Sequence, residues 1–248
     1  MFGVIGGTGL DLIEGLIVTK YETIDTPYGK TSEPLAFGSI ANNLIVFIAR
    51  HGKNHSIPPH LINYQANIWA LHSVGIKNLI GINTVGAIDI NFLPGDFVFP
   101  NQIIDYTYSR KNTFFDGGNE PIKHIDFTYP FDDNLRNKFS KTAEMLKLKH
   151  HINAVYACVQ GPRLESIAEI NRYDKDGANI IGMTGMPEAA LAKEIGLNYA
   201  LICPVANHAA GRGLNKDGIS HDEISSNSKS MSLNIVNLLK GIIESYGN

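Results

Sequence analysis

Short apolar runs that stop at glycine, hydroxyl or amide residues recur along this chain, and helix-like segments separate most of them. Residues 2–5 run into Gly6-Gly7-Thr8-Gly9, 43–49 into Arg50-His51-Gly52, and 77–82 into Asn83-Thr84. Farther on, 152–159 run into Gln160-Gly161-Pro162, 178–181 into Gly182-Met183-Thr184, and 199–205 into Ala206-Asn207. Apolar residues at helical spacing mark helices over 61–74 and 131–148, with others over 166–174, 187–195 and 217–246. Alternation of this kind predicts a single α/β domain over 1–248, with a central mixed sheet flanked by helices. It also indicates where chemistry belongs, because ligands of α/β proteins bind where strands finish and helices start.

Composition narrows the function. A net charge of −3 over 248 residues, without a Lys/Arg cluster, argues against non-specific nucleic-acid binding, which needs a basic surface to displace phosphate counterions. Cys158 and Cys203 both lie in apolar segments and read as buried thiols of a reducing compartment. No apolar stretch approaches the roughly 20 residues needed to span a bilayer, and no basic, then apolar leader opens the chain. A cytoplasmic protein with no membrane partner is expected.

The strand ends differ in their donors. Gly6-Gly7-Thr8-Gly9 brings backbone N–H groups and a hydroxyl toward an anion, but no Gly-Lys-Ser/Thr follows, so it is not a P-loop. As a dinucleotide fingerprint it lacks context, since Gly15 interrupts the following helix and Asp25 runs into a Thr26-Pro27-Tyr28-Gly29 turn. The loop from Arg50 to His60 gathers one Arg, one Lys and three His, which suits a phosphate; a solvated basic loop is the alternative. Zinc is a further alternative there, although His51, His55 and His60 lack a helical His-Glu-x-x-His frame. Residues 105–130 are polar and aromatic without clear periodicity, so a lid or a subunit contact is expected. Pro187-Glu188 opens a helix, with the acid near the positive end of the dipole.

Gly6-Gly7-Thr8-Gly9, Ala49-Arg50-His51-Gly52, Asn63-Tyr64-Gln65-Ala66-Asn67-Ile68-Trp69-Ala70-Leu71, Gly161-Pro162-Arg163 and Met183-Thr184 with Met186-Pro187-Glu188 follow one another in order. Together they resemble the trimeric purine nucleoside phosphorylases, in the branch of methylthioadenosine phosphorylase, over almost the whole chain. The resemblance implies a homotrimer in which inorganic phosphate, as co-substrate, attacks the ribosyl C1′ of a nucleoside and releases the purine. No metal or organic cofactor is implied. By the same analogy Thr8, Arg50, His51, Thr184 and the Asn83-Thr84 backbone form a phosphate clamp, and Met183 packs beneath the ribose. Asn207 and His51 are the expected catalytic side chains.

The base pocket carries the discrimination. Asn207 and Ala209 stand where adenine-specific relatives carry two Asp residues, and Glu165 stands where 6-oxopurine enzymes have Glu. An amide at 207 can donate to O6 and accept from a protonating N7, while a carboxylate at 165 accepts N1–H of hypoxanthine or guanine. The same carboxylate faces the N1 lone pair of adenine, a mismatch of roughly 1–3 kcal/mol. A 6-oxopurine preference follows. His55, Leu164 and a neighbouring subunit's His124 match positions bordering the 5′ group, and Leu164 replaces an aromatic. An apolar wall suits a methylthio substituent, whereas His221 matches a residue that meets a 5′-hydroxyl in ordinary purine nucleoside phosphorylases. The expected substrate is S-methyl-5′-thioinosine, as in the methylthioinosine phosphorylases, with inosine or guanosine second and methylthioadenosine third. A non-catalytic nucleoside sensor and an NAD-dependent oxidoreductase are the competitors from other classes.

Overall fold

A computed structural model describes residues 1–7, 15–118, 121–216, 218, 219 and 221–247; beyond 220, side chains are described at 227 and 231–245. Thr8 and the side chain of His221 therefore lie outside the described residues. The first strand, β1 (Phe2–Gly6), is buried throughout and pairs in parallel with both β4 (Asn43–Ala49) and β5 (Asn78–Ile82). A strand buried on both faces has to be apolar at every position, as Phe2-Gly3-Val4-Ile5 is. Between β1 and β4 lie β2 (Ile17–Glu22) and β3 (Leu35–Ile40), which extend the sheet antiparallel to its edge. Ala41 and Asn42 both take left-handed φ, 48° and 63°, giving the turn twist that a tight β3–β4 hairpin favours.

β2 has no counterpart in the sequence-based expectation. Its residues alternate poorly, because an edge strand with a mostly exposed surface imposes little apolar period. It pairs with β3 at the sheet edge and not with β1, unlike the first two strands of a dinucleotide fold, which lie side by side.

The remaining strands are β6 (Val85–Ala87), β7 (Phe97–Val98), β8 (Gln102–Asp105), β9 (His150–His151), β10 (Val155–Cys158), β11 (Ile180–Gly182) and β12 (Asn198–His208). The main path runs β2-β3-β4-β1-β5-β12-β6-β11-β10-β8, with parallel and antiparallel pairs, so the sheet is mixed as expected. β12 is its pivot. The first half of β12 pairs with β5, Cys203 and Pro204 meet β7, and the last residues pair with β6. Helices α1 (Tyr64–Ser73), α2 (Asp133–Met145), α3 (Ile167–Lys175), α4 (Glu188–Glu194) and α5 (His221–Gly247) complete the layers.

Local chemistry sets where these helices start. The Asn63 side chain accepts from Ala66 N–H and that of Asp132 from Leu135 N–H. Ser166 and Glu169 form a reciprocal capping box that orients the turn just before α3, where Glu165 sits. None of the described helices is long and apolar enough to cross a membrane.

Candidate active site

The strand ends converge on a cavity of about 460 Å³. Arg50, immediately after β4, is fully buried in its wall. Its Nε donates to Glu188 Oε2 (2.7 Å), Nη2 donates to Glu188 Oε1 and Asn83 Oδ1 (both 2.8 Å), and Nη1 donates to the Ile82 carbonyl (2.8 Å). Tyr199 Oη donates to Glu188 Oε1 at 2.5 Å, and Asn83 Nδ2 donates to Thr184 Oγ1 at 2.9 Å. Burial works against the Arg50 charge, but the Glu188 carboxylate outweighs it and holds the guanidinium pKa above its ordinary value.

The network changes what Arg50 has to offer. Four of its five N–H groups are spent on protein acceptors, leaving one on Nη1. Gly7 also lines the cavity and stands beside that nitrogen: a Cβ there would lie 3.1 Å from Nη1 and 2.4 Å from the Ile82 carbonyl oxygen. A side chain at position 7 is therefore excluded next to the remaining donor. The Asn83 backbone N–H, expected in the phosphate clamp, instead donates to the Ile202 carbonyl (3.0 Å) because β5 and β12 run side by side there. Asn83 serves through its side chain, bridging Arg50 and Thr184, and Thr84 lines the wall next to it.

His51 is buried with Nδ1 2.9 Å from the Ile57 carbonyl oxygen. A carbonyl only accepts, so Nδ1 carries the proton and Nε2 keeps a lone pair when the ring is neutral. Burial, followed by the Arg50 charge, lowers the His51 pKa to about 3, so the ring is neutral near pH 7. His55 stacks on it with centroids 4.0 Å apart and also lines the cavity. Among the described residues, no group of three or more His, Cys, Asp or Glu is placed to hold a metal ion.

Met183 and Thr184 follow β11 into the cavity wall. The Met183 thioether lies against Gly161, where a Cβ would sit 2.4 Å from Sδ. Close approach of these two strand-end turns therefore requires glycine at 161, whose φ of 63° is also left-handed.

Asn207 reaches the cavity through an irregularity in β12. Val205 pairs with Val85 and Asn207 with the next residue, Gly86, so Ala206 is the extra residue of a bulge. Bulges of this kind re-aim side chains beside functional sites. Asn207 Nδ2 donates to the His208 carbonyl at 2.6 Å; among the described residues no donor reaches its Oδ1. Ala209 packs beside it with its N–H on the Ala87 carbonyl. Leu164 and Glu165 complete this wall. Burial raises the Glu165 pKa, against a hydrogen bond from its own backbone N–H.

Of the expected site residues, Arg50, His51, His55, Asn83, Thr84, Leu164, Glu165, Met183, Thr184, Asn207 and Ala209 line one cavity. His124 does not. It is exposed, and none of the described residues between 106 and 130 of this chain lines the cavity, as a residue expected from a neighbouring subunit allows. Glu188 and Tyr199 are additions. Glu188 reads locally as a helix-start acid, yet it is 1% exposed and its guanidinium partner is 138 residues away.

Comparison with known proteins agrees with this geometry. A sequence model described as the phosphorylase superfamily matches residues 1–244. A probable S-methyl-5′-thioinosine phosphorylase of Pseudomonas syringae pv. tomato is 44% identical over 212 residues, 86% of each chain. A 6-oxopurine nucleoside phosphorylase of Pyrococcus furiosus is 41% identical over 229 residues, 90% of this chain and 85% of that one. In structure, methylthioadenosine phosphorylase from Schistosoma mansoni in complex with adenine superimposes with a TM-score of 0.94 at 28% identity, covering 99% of this chain and 91% of that one. The chain belongs to the phosphorylase superfamily.

Proposed function

We propose that this protein cleaves 6-oxopurine nucleosides with inorganic phosphate, taking S-methyl-5′-thioinosine to hypoxanthine and S-methyl-5-thioribose 1-phosphate. One observation carries the reading: Glu165 and Asn207, the pair suited to a 6-oxopurine, line the same cavity as Arg50, His51 and Thr184. Relatives named for methylthioinosine and for 6-oxopurine nucleosides, at 44% and 41% identity, support it.

In this reading the last Arg50 N–H and the Thr184 hydroxyl hold phosphate, with Thr8 as a further donor. Neutral His51 accepts the remaining phosphate O–H at Nε2, which leaves the other oxygens free to attack C1′. As a phosphate oxygen bonds to C1′ and the C1′–N9 bond breaks, the electron pair goes to the purine, which takes a proton at N7 from water, while the proton of the phosphate O–H passes to water. Asn207 Oδ1 accepts from that N7–H while its second amide hydrogen reaches O6, and Glu165 accepts from N1–H. Met183 supports the sugar. Leu164, with its apolar side chain, and His55 border the 5′ substituent; inosine or guanosine is the second reading, for which His221 would meet the 5′-hydroxyl. The active form is a cytoplasmic homotrimer in which the partner subunit's His124 completes the 5′ wall, and phosphate is the only co-substrate.

Purified protein should release hypoxanthine from methylthioinosine, and more slowly from inosine, only when phosphate is added. Chromatographic product analysis gives the answer. Release without phosphate would remove phosphorolysis, and faster cleavage of methylthioadenosine or adenosine would remove the roles given to Glu165 and Asn207.

A further inference from the structure

We propose that Arg110, in the segment between β8 and α2, is a positioning residue that sets the place of Met183 and Thr184. Arg110 does not itself line the cavity. Instead it gathers the carbonyls of the two turns that carry the site. Nη1 donates to the Met183 and Met186 carbonyls at 2.8 and 2.6 Å and lies 3.2 Å from Tyr64 Oη. Nη2 donates to the Val159 and Gln160 carbonyls at 3.3 and 2.8 Å, and Nε to Gln160 Oε1 at 3.2 Å.

Those carbonyls belong to the turns after β10 and β11, which meet where the Val159 N–H donates to the Gly182 carbonyl at 2.9 Å and where the Met183 thioether lies against Gly161. Carbonyls converging on one point repel, and a guanidinium is the side chain with enough donors in a fixed fork to hold several together. Arg110 is itself held in place. The Tyr108 N–H donates to Gln160 Oε1, Gln65 Nε2 to the Thr113 carbonyl, and Thr113 Oγ1 and Phe114 N–H to the Glu194 carboxylate. Thus the chain beyond β8 is a strap that ties helices α1 and α4 to the turn beneath the sugar. The role assigned to Met183 and Thr184 rests on the phosphorolysis reading; the positional role of Arg110 does not.

Arg110→Lys keeps the charge but replaces a planar fork by one nitrogen, which cannot reach both turns. It should raise the KM for phosphate and for nucleoside about tenfold with kcat lowered no more than about threefold, since small displacements of binding groups are costly. The unfolding midpoint should stay near that of the wild type. Methyl-13C labelling of the five methionines gives a second readout that needs no substrate. The Met183 signal, assigned with Met183→Leu, should shift or broaden in Arg110→Lys, and that of Met231, in the core cluster beneath α5, should not. Gln160→Leu removes the acceptor that Nε shares with the Tyr108 N–H, keeps the four carbonyl bonds of the guanidinium, and should give a smaller change of the same kind; it decides the matter should Arg110→Lys fail to fold. Unchanged KM values with an unmoved Met183 signal overturn the proposal, as does a fall in kcat that merely follows the folded fraction. A wild type that releases no purine would end the phosphorolysis reading alone, because the Met183 signal still judges Arg110.

Discussion

Arg50 spends four of its five N–H groups on the protein, whereas Glu165 takes a hydrogen bond from its own backbone and Asn207 donates to the carbonyl beside it. Both groups line one cavity, but they are held differently. The Arg50–Glu188 pair is buried, with side chains 0% and 1% exposed, and removing either partner strands a charge away from water. Its geometry is set before any ligand arrives, as electrostatic stabilisation of a developing charge requires. Glu165 and Asn207 are held by backbone groups beside them in the chain, so a ligand in the cavity can supply further partners. The lesson is a division of labour: the Arg50 wall is fixed by the fold, and the wall proposed to meet the purine can change with few substitutions.

The sharpest way to break this contrast is at Glu188. Glu188→Ala should cost about 3–5 kcal/mol in denaturant unfolding, because it leaves a buried guanidinium unpaired, and should abolish turnover with it. A loss near that of a surface mutation would mean that Arg50 finds another partner and that its wall is not fixed.

At the other wall, Glu165→Ser combined with Asn207→Asp should leave stability within about 1 kcal/mol and move kcat/KM from 6-oxopurine toward 6-aminopurine nucleosides by roughly 10–100-fold. Competition between methylthioinosine and methylthioadenosine measures it. An unmoved preference would show that other residues choose the base.

The third test concerns His51. Its folded pKa of about 3 lies below the ordinary value of 6.5, so between those values the unfolded chain binds the extra proton. Stability from this group is therefore present above about pH 6.5 and is lost as pH falls toward 3, with a limiting slope of about 1.4 kcal/mol per pH unit. The unfolding free energy of the wild type, followed from pH 7 to 4, should fall more steeply than that of His51→Gln. Parallel curves would show that the imidazole is not held neutral.

Much of the fold was legible because most elements carry a local signal. Buried parallel strands such as Val4-Ile5 are apolar at every position, Ser166 with Glu169 announces α3, and Ala41-Asn42 closes a hairpin. β2 was not legible, since Ile17 and Tyr21 are exposed on an edge and leave no apolar period to read. Some site residues at strand ends, such as Arg50 and Thr184, were visible by type and place, others, such as Leu164 and Ala209, only through the family resemblance, and eleven of the expected residues line the cavity. Glu188 and Arg110 were not, for a shared reason. An acid after Pro187 looks like a dipole partner whatever lies across the sheet, and an Arg in an aperiodic segment looks solvated until its acceptors are brought to it.

By itself the sequence determined the α/β alternation and the donors at each strand end, because these depend on residue type and local period, and the family resemblance implied the 6-oxopurine reading of Glu165 and Asn207. Tertiary structure alone decided how those donors are spent. Arg50 meets Glu188 across 138 residues, Asn83 gives its backbone N–H to Ile202, and Arg110 closes on the turns after β10 and β11. Hydrogen-bond partners so far apart along the chain are chosen by packing, and no local pattern records which groups remain for a ligand.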